Sequence, residues 1–251
     1  MQKDTLPKFG TLSVFDQIYA TNYWGDGSGT GSSPEATKDY RQFLEGFMRD
    51  QGVRTVVDLG CGDWQVSNLI DWSGIRYYGF DAADFVIRAN TERYARENIS
   101  FERLSDYAAL PAADLLVVKD VLQHLSNAEV KKILAEVFPK YPKILVTNCV
   151  PPIRTAFYRS SMFNRDIEIG DFRYLDIRLP PFNQSATPRL DWKINHRGPV
   201  KTVFYLATDR RPGESFIRHA FMLPFRVTKW LFLGIDCNWR KHTLQVERNR
   251  K

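Results

Sequence analysis

Short apolar segments alternate with helical segments between residues 53 and 148 of this 251-residue chain. Five apolar runs are predicted to be strands: Val53–Leu59, Arg76–Phe80, Ile99–Leu104, Leu115–Lys119 and Lys143–Asn148. The run Leu115–Lys119 is almost entirely apolar, as expected of a strand that is buried on both faces. Strands that alternate with helices favour a parallel sheet covered by helices on both sides. The pattern therefore predicts a doubly wound α/β fold.

Capping residues mark two of the helices in this pattern. Ser32 and Glu35 are spaced as in a capping box, where two side chains bind backbone N–H groups at a helix start. Ser126 and Glu129 repeat the spacing before a second apolar stripe. Two further helices are predicted over residues 64–70 and 84–97. Together these helices would cover both faces of the predicted sheet.

The strand–helix alternation ends near Pro151 and divides the chain into three parts. Residues 1–33 form a predicted cap segment, residues 34–207 the main domain and residues 208–251 an appendage. The last strands of the main domain are predicted over residues 172–177 and 201–207. The proline-bearing stretch between them, residues 178–200, is typical either of a lid that closes over an acceptor or of a long surface loop.

Composition excludes several classes of protein. Apolar residues make up 43% of the chain, which is enough to offset the entropy of ordering the backbone, so disorder is excluded. Neither a membrane-spanning run nor a signal peptide is predicted. Three scattered cysteines do not form a disulfide framework, so we expect a cytoplasmic protein. The net charge of +6 permits an anionic partner without selecting one.

The appendage carries partner expectations of its own. Its segment 216–233 combines several aromatic side chains with arginine and lysine. Such a segment is too apolar to remain exposed, so it would pack on the main domain or form a homodimer contact. Peripheral contact with an anionic membrane surface is the third alternative.

A glycine-rich turn follows the first predicted strand. Gly60 and Gly62 flank Cys61, and glycine lets a backbone approach a ligand closely. Asp58 stands where dinucleotide-binding folds usually carry an apolar residue, and Trp64 replaces the third glycine of the pyrophosphate fingerprint. NAD is therefore only the second choice of cofactor.

Acidic residues follow the next two predicted strands. Asp81 ends the second strand, where a carboxylate can accept hydrogen bonds from both ribose hydroxyls of an adenosine. Asp106, followed by Tyr107, comes after the third strand and can accept a bond from an adenine amino group. Purely structural roles, as a helix cap for Asp81 and a turn residue for Asp106, are the alternatives.

These motifs resemble, in order and spacing, those of the class I S-adenosylmethionine-dependent methyltransferases. Asp58-Leu-Gly-Cys-Gly62 is similar to the glycine-rich first motif, Asp81 to the ribose-binding position and Asp106 to the adenine-contacting position, and residues 114–125 resemble the fourth-strand motif. The resemblance covers residues 15–207 and implies a mostly parallel, seven-stranded Rossmann-like sheet that binds S-adenosylmethionine. The residues expected to contact this cofactor are Trp24, Asp58, Gly60, Cys61, Gly62, Asp81, Ala82, Asp106, Tyr107 and Lys119.

A narrower resemblance is to a subgroup of small-molecule or glycan methyltransferases. It rests on the stretches Tyr19–Ser33, Gly62-Asp-Trp64, Gly170–Asp176 and Pro180-Pro-Phe182. It implies that the acceptor is a hydroxyl of a glycan or another small molecule. A nucleic-acid methyltransferase is disfavoured, because the fourth strand is not followed by an Asn-Pro-Pro-Tyr-like tetrad. A non-catalytic module that binds the cofactor or a partner is the third alternative.

His124 and Asp120 are the candidate catalytic residues, because both follow the fourth predicted strand. A histidine titrates near neutral pH and can take the proton of a hydroxyl. Asp120 is the rival base, or a contact to the methionine amino group of the cofactor. Arg173, Asp176 and Trp192 are expected on the acceptor side, although Arg173 and Asp176 also suit a salt bridge on a solvated face.

The histidines and cysteines do not predict a metal site. The four histidines and three cysteines show no ligand spacing typical of zinc. A magnesium ion held by Asp120 and other carboxylates is an open alternative, since such sites leave no compact motif.

Overall fold

The computed structural model describes residues 14–25, 27–150, 163–193 and 200–208. The predicted appendage therefore lies outside the described residues apart from its first residue, and so does the segment 216–233 with its membrane and dimer alternatives. Within the described ranges, no helix combines the length and the apolar character needed to cross a membrane.

Seven strands form a single mixed sheet. They are β1 Thr55–Leu59, β2 Arg76–Asp81, β3 Ile99–Arg103, β4 Leu115–Lys119, β5 Lys143–Val150, β6 Thr187–Lys193 and β7 Val200–Ala207. Their order across the sheet is β3-β2-β1-β4-β5-β7-β6. The first five strands are parallel, whereas β7 runs antiparallel to both of its neighbours. The doubly wound, mostly parallel and Rossmann-like sheet expected from the sequence is confirmed.

Within the described ranges, four α-helices accompany the sheet: α1 Val14–Ala20, α2 Lys38–Asp50, α3 Asp84–Tyr94 and α4 Asn127–Glu136. The capping residue of α4 is the predicted one, since Ser126 Oγ accepts a bond from the Glu129 N–H at 3.2 Å. The predicted helix α2 is present but its predicted start is wrong, because a 3-10 turn and further turn residues occupy positions 30–37 and the helix begins only at Lys38.

Three other predictions of local structure are also wrong. Residues 64–70 form turns and one short 3-10 segment, because Trp64 adopts a left-handed backbone (φ +61°) while its indole is buried. Residues 172–177 form no strand and make only an isolated bridge between Phe163 and Tyr174. The predicted loop over residues 178–200 contains β6, and its residues 194–199 lie outside the described ranges.

Two apolar clusters hold the layers together, one on each side of the sheet. On one side Val130 and Ile133 of α4 pack against Val118 and other residues of the parallel strands. On the other side Tyr40 and Leu44 of α2 pack in a cluster with residues of β1, β2 and β4. Because helices cover both faces, the carboxyl edge of the sheet is where polar side chains can meet a ligand.

Candidate functional site

A cavity of about 930 Å³ lies at the carboxyl ends of the parallel strands. This volume is in the range of ligand-binding sites, roughly 300–1,000 Å³. Every residue predicted to contact the cofactor or to take part in catalysis lines this cavity. Residues that sequence reasoning missed also line it, among them Tyr19, Ser28, Gln123, Phe172 and Lys201.

The glycine turn after β1 is shaped by the protein that packs against it. Gly60 and Gly62 have φ angles of +81° and +56°, which favour glycine. A Cβ atom on Gly60 would lie 2.3 Å from Val121 Cγ2, and one on Gly62 would lie 2.5 Å from Ser28 Oγ. Because these residues are glycines, the segment after β4 and the N-terminal segment can pack directly against the turn, and room is left for a ligand.

The backbone N–H groups of this turn are not open to an anion. Those of Gly60 and Cys61 both donate to the carbonyl oxygen of Phe80, at 2.7 and 3.0 Å. That of Gly62 donates to Asp81 Oδ2 at 3.0 Å. The helix predicted over residues 64–70 is absent as well, so the turn does not lead into a helix N-terminus that could bind an anion. A turn of this kind suits a ligand without phosphate groups.

Asp81 is the central carboxylate of the cavity. It is only 8% exposed, and its Oδ2 and Oδ1 accept bonds from the N–H groups of Gly62 and Ala83 at 3.0 and 2.9 Å. Burial raises the pKa of Asp81 to about 6, although these donors oppose the rise. A carboxylate offers about four acceptor positions, so capacity remains for two neighbouring hydroxyl groups of a ligand. Asp81 thus fixes the turn that precedes α3, rather than capping the helix itself, and keeps room for a ribose.

Asp58 also lines the cavity but is tied to the core. Its Oδ2 accepts bonds from Tyr77 Oη at 2.6 Å and from Ser67 Oγ at 3.4 Å. Burial raises the pKa of Asp58 to about 6, and the Tyr77 hydroxyl and the nearby Lys119 ammonium oppose that rise. Asp58 therefore links β1 to β2 and borders the cavity at the same time.

The adenine side of the expected site is built by the turn after β3. Asp106 Oδ1 accepts a bond from the Ala108 N–H at 2.9 Å and so begins the short 3-10 turn Tyr107–Ala109. The Tyr107 hydroxyl donates to Glu129 Oε1 at 2.5 Å, which ties this turn to α4. The turn role left open for Asp106 is thus present, and its side chain still reaches the cavity.

Asp120 is clamped between two ammonium groups. Its Oδ2 lies 2.7 Å from Lys119 Nζ and its Oδ1 lies 2.6 Å from Lys201 Nζ. The side chains of Lys119, Asp120 and Lys201 are 10, 14 and 4% exposed. Burial alone would raise the pKa of Asp120, but the two lysines outweigh it and hold the pKa well below its usual range. Such a carboxylate is a poor proton acceptor, so we no longer assign Asp120 as the base.

His124 is held by groups from three parts of the chain. Its ring lies 4.8 Å from the Trp24 ring and 5.8 Å from the Phe172 ring, measured between centroids. Its Nδ1 lies 2.9 Å from the carbonyl oxygen of Asp171, so Nδ1 carries the hydrogen. Burial lowers the pKa of His124 below its ordinary value, which leaves the imidazole neutral at pH 7. A neutral imidazole keeps one nitrogen with a lone pair that can take a proton.

The N-terminal segment is fastened to the turn after β1 through Ser28. The Ser28 N–H donates to Asp63 Oδ2 at 3.1 Å, and Ser28 Oγ donates to Asp63 Oδ1 at 2.8 Å. The Tyr19 hydroxyl lies 2.9 Å from the same Oγ. These bonds hold the segment that carries Trp24 against the cavity. The serine and glycine residues between positions 25 and 31 carry no local pattern that marks this contact, so the role of Ser28 was missed.

Arg173, Asp176 and Trp192, expected on the acceptor side, do not line the cavity. Arg173 is buried and donates to Asn127 Oδ1 at 2.8 Å, whereas Asp176 forms a salt bridge of 2.7 Å with Arg178. Trp192 is buried against α2 and donates to a backbone carbonyl just before that helix. These contacts are structural, so we no longer assign the three residues to the acceptor.

Metal ligation finds no support in the described ranges. They contain no group of three or more histidine, cysteine, aspartate or glutamate side chains that could hold an ion.

Comparisons with known proteins agree with this geometry. A sequence model of the O-methyltransferase domain matches residues 33–165, which is more than half of the chain. Glycine N-methyltransferases of Rattus norvegicus and Mus musculus are 24% and 26% identical over 164 and 167 residues. These matches cover 53% of this chain and 56% of each relative, so the chain spans about half the length of the curated relatives it matches.

Solved structures share the fold at low sequence identity. Magnesium protoporphyrin IX methyltransferase of Synechocystis PCC 6803 with bound S-adenosylhomocysteine is 15% identical, with a TM-score of 0.53 over 76% of this chain and 96% of that chain. The N-methyltransferase NodS of Bradyrhizobium japonicum WM9 is 13% identical, with a TM-score of 0.54 over 77% and 98% of the two chains. The family match and the shared fold confirm the resemblance drawn from the motifs. The chain belongs to the O-methyltransferase domain family, among the class I methyltransferases that use S-adenosylmethionine.

Proposed function

We propose that this methyltransferase transfers the methyl group to a hydroxyl of a glycan or another small molecule, with His124 as the general base. The observation that carries the proposal is the His124 imidazole, which lines the same cavity as Asp81 and the glycine turn and is held through Nδ1 by the Asp171 carbonyl, so that Nε2 keeps its lone pair. A hydroxyl must lose its proton when its oxygen is methylated, and this imidazole can accept that proton.

The cavity residues fit the cofactor at its adenosine end. Asp81 would accept bonds from the two ribose hydroxyls, because it is buried and keeps acceptor capacity beyond Gly62 and Ala83. Asp106 and Tyr107 would border the adenine. When bound, S-adenosylmethionine supplies a methyl group activated by its sulfonium and leaves as a neutral thioether.

His124 would receive the proton at Nε2 while the acceptor oxygen forms its bond to the methyl carbon. A positioned base of this kind contributes about 10²–10⁴-fold to a rate. Orientation of the acceptor supplies more, up to about 7–11 kcal/mol in well-aligned reactions. Trp24 and Phe172, on either side of His124, would provide that orientation by packing against the acceptor.

A nitrogen acceptor is the second candidate. It is favoured by one observation, namely that both curated relatives are glycine N-methyltransferases. Their identity to this chain is low and covers about half of each protein, so we rank it below the hydroxyl.

The test is a product analysis with S-adenosylmethionine that carries a ¹³C-labelled methyl group. The full chain is incubated with hydroxylated acceptors, beginning with sugars, and with glycine, and the carbon signals of O-methyl and N-methyl products are distinguished by NMR. His124→Asn should keep its affinity for S-adenosylhomocysteine and lose about 10²–10⁴-fold in turnover. Undiminished turnover of His124→Asn would show that His124 is not the general base. An N-methyl product would favour the nitrogen acceptor.

A further inference from the structure

A chain of hydrogen bonds that includes the His124 ring connects four residues of the cavity lining. The Cys149 N–H of β5 donates to Gln123 Oε1 at 2.7 Å. Gln123 Nε2 lies 3.3 Å from His124 Nε2, and His124 Nδ1 lies 2.9 Å from the carbonyl oxygen of Asp171. The proposed reaction uses the imidazole alone, so the role of Gln123 is unassigned.

The two ends of this chain fix the direction of every bond in it. A backbone N–H such as that of Cys149 can only donate, so the side-chain oxygen of Gln123 faces it and the NH₂ group faces His124. A backbone carbonyl such as that of Asp171 can only accept, so Nδ1 of His124 carries the hydrogen. Nε2 is then left as the acceptor of the Gln123 N–H. One tautomer of the histidine satisfies all four groups.

The surroundings hold this arrangement in place. Gln123 is only 3% exposed, and its backbone carbonyl accepts a bond from the Arg173 N–H at 3.1 Å. The carbonyl oxygen of His124 accepts a bond from the Gly170 N–H at 2.9 Å, which fastens the segment that bears Asp171. Neither side chain can reorient without breaking bonds to the backbone.

The charged groups that act on the imidazole are Asp120, Lys201 and Arg173. Burial is the main cause that lowers the pKa of His124, and the cations of Lys201 and Arg173 lower it further, whereas the bond from Nδ1 to the Asp171 carbonyl and the Asp120 carboxylate oppose this. Protonation of Nε2 would in addition turn two donors, the imidazolium N–H and the Gln123 N–H, toward each other. The arrangement of donors and charges therefore favours the neutral ring.

We infer that Gln123 is a positioning residue that fixes His124 as the neutral Nδ1–H tautomer and reserves its Nε2 lone pair for the acceptor. The catalytic consequence rests on the proposed function, whereas the tautomer does not. At 3.3 Å the bond from Gln123 is long, so an acceptor hydroxyl can replace it at little loss. The proton of that hydroxyl can then be transferred to His124 Nε2.

Gln123→Glu is the sharpest variant, because it keeps size and the acceptor for the Cys149 N–H but replaces the donor with a carboxylate oxygen. A proton is then shared between the new carboxylate and Nε2, and the protonation midpoint of the imidazole should rise by about one pH unit or more. Gln123→Met is the second variant, which removes the donor without adding charge and should raise the midpoint less.

The first readout is ¹⁵N NMR of the full chain labelled at histidine, titrated from pH 5 to 9, with His124→Asn to assign the His124 signals. We expect the Nδ1–H tautomer in the unmodified protein and higher midpoints in the Gln123 variants. An Nε2–H tautomer, or midpoints that neither variant moves, would overturn the inference. This readout needs neither cofactor nor acceptor.

The second readout is kcat against pH with an acceptor found as described above. In Gln123→Glu the acidic limb should move to higher pH and activity should return in alkaline solution. A merely structural role would lower kcat at every pH alike. If the tautomer is as inferred while His124→Asn keeps full turnover, the proposed base fails and the assignment of Gln123 to the tautomer stands.

Discussion

Binding of S-adenosylhomocysteine should strengthen as Asp81 ionises. The pKa of Asp81 is raised to about 6 by burial, and hydroxyl donors of a ribose would stabilise the ionised form. With this pKa, about nine-tenths of the carboxyl groups are protonated at pH 5 and under one-tenth at pH 7.5. The affinity should therefore be about tenfold lower at pH 5 than at pH 7.5, a difference of ~1.4 kcal/mol.

Calorimetric titration between pH 5 and 8 measures this slope directly. Asp81→Asn should lower the affinity by about 10–100-fold at pH 7.5, since a hydrogen bond to a charged group contributes roughly 1.5–3 kcal/mol. It should also lose most of the pH dependence, and any slope that remains belongs to Asp58, whose pKa is likewise about 6. An Asp81→Asn protein that keeps the full affinity and the full slope would refute the assignment.

Asp114→Asn is the matched control. Asp114 also accepts bonds from two backbone N–H groups, those of Arg54 and Thr55, at 2.8 and 2.9 Å. It does not line the cavity, because it lies at the opposite end of β1 from the glycine turn. This variant should be less stable but bind S-adenosylhomocysteine with normal affinity and normal pH dependence. Comparison of the two separates loss of folding from loss of binding.

The same ionisation links the cofactor to stability. Because the pKa of Asp81 is raised on folding from 3.8 to about 6, its contribution to stability is present below pH 4 and is lost as the pH rises through 6. The loss amounts to about 3 kcal/mol, since one pKa unit corresponds to ~1.4 kcal/mol. A ligand that stabilises the ionised Asp81 carboxylate restores the stability that is lost. The rise in Tm on adding S-adenosylhomocysteine should therefore be larger at pH 7.5 than at pH 5.

Two further variants test the packing around the cavity. Asp120→Asn should lower the free energy of unfolding by about 3–5 kcal/mol, because Lys201 then remains buried without its counter-charge. Unfolding in urea measures this difference. An unchanged free energy of unfolding would mean that Lys201 is solvated. Gly62→Ala should weaken the binding of S-adenosylhomocysteine, because a Cβ atom on Gly62 would lie 2.5 Å from Ser28 Oγ. Its control is Gly52→Ala, where φ is +61° and the surrounding space is open. This control should lose only about 1–2 kcal/mol of stability through backbone strain. If the two glycine variants bound S-adenosylhomocysteine with equal affinity, Ser28 would have moved to make room for the new methyl group.

The central strands of the parallel half, β1, β4 and β5, could be predicted because each is a local apolar run. Leu115–Lys119 is buried on both faces, and its predicted bounds are those of β4. The carboxyl ends of such strands meet at one edge, so the motifs that follow them converge on one cavity. The order of motifs along the chain was therefore enough to predict that the expected cofactor residues line one cavity.

Of the two strands at the antiparallel edge, β7 was expected over residues 201–207 and is present, whereas β6 could not be predicted in the same way. β6 lies at the end of the sheet and is mostly exposed, so its residues lack the apolar run that signals a buried strand. Its Trp192 stands in a polar stretch and suggested a ligand contact, but the ring packs against Tyr40 of α2. Burial of a single side chain across the molecule is a property of the tertiary structure and leaves no local pattern.

The choice between two bases shows what only the fold can decide. Asp120 and His124 both follow β4 and carry groups that take protons, so position along the chain does not separate them. The antiparallel β7 brings Lys201 against Asp120, and this second ammonium group makes the carboxylate a poor base. His124 is instead oriented by aromatic rings and a backbone carbonyl, and its burial lowers its pKa and so favours the neutral imidazole. Because Lys201 and Trp24 come from opposite ends of the described chain, the choice of His124 as the proposed base depends on contacts that form only when the domain folds.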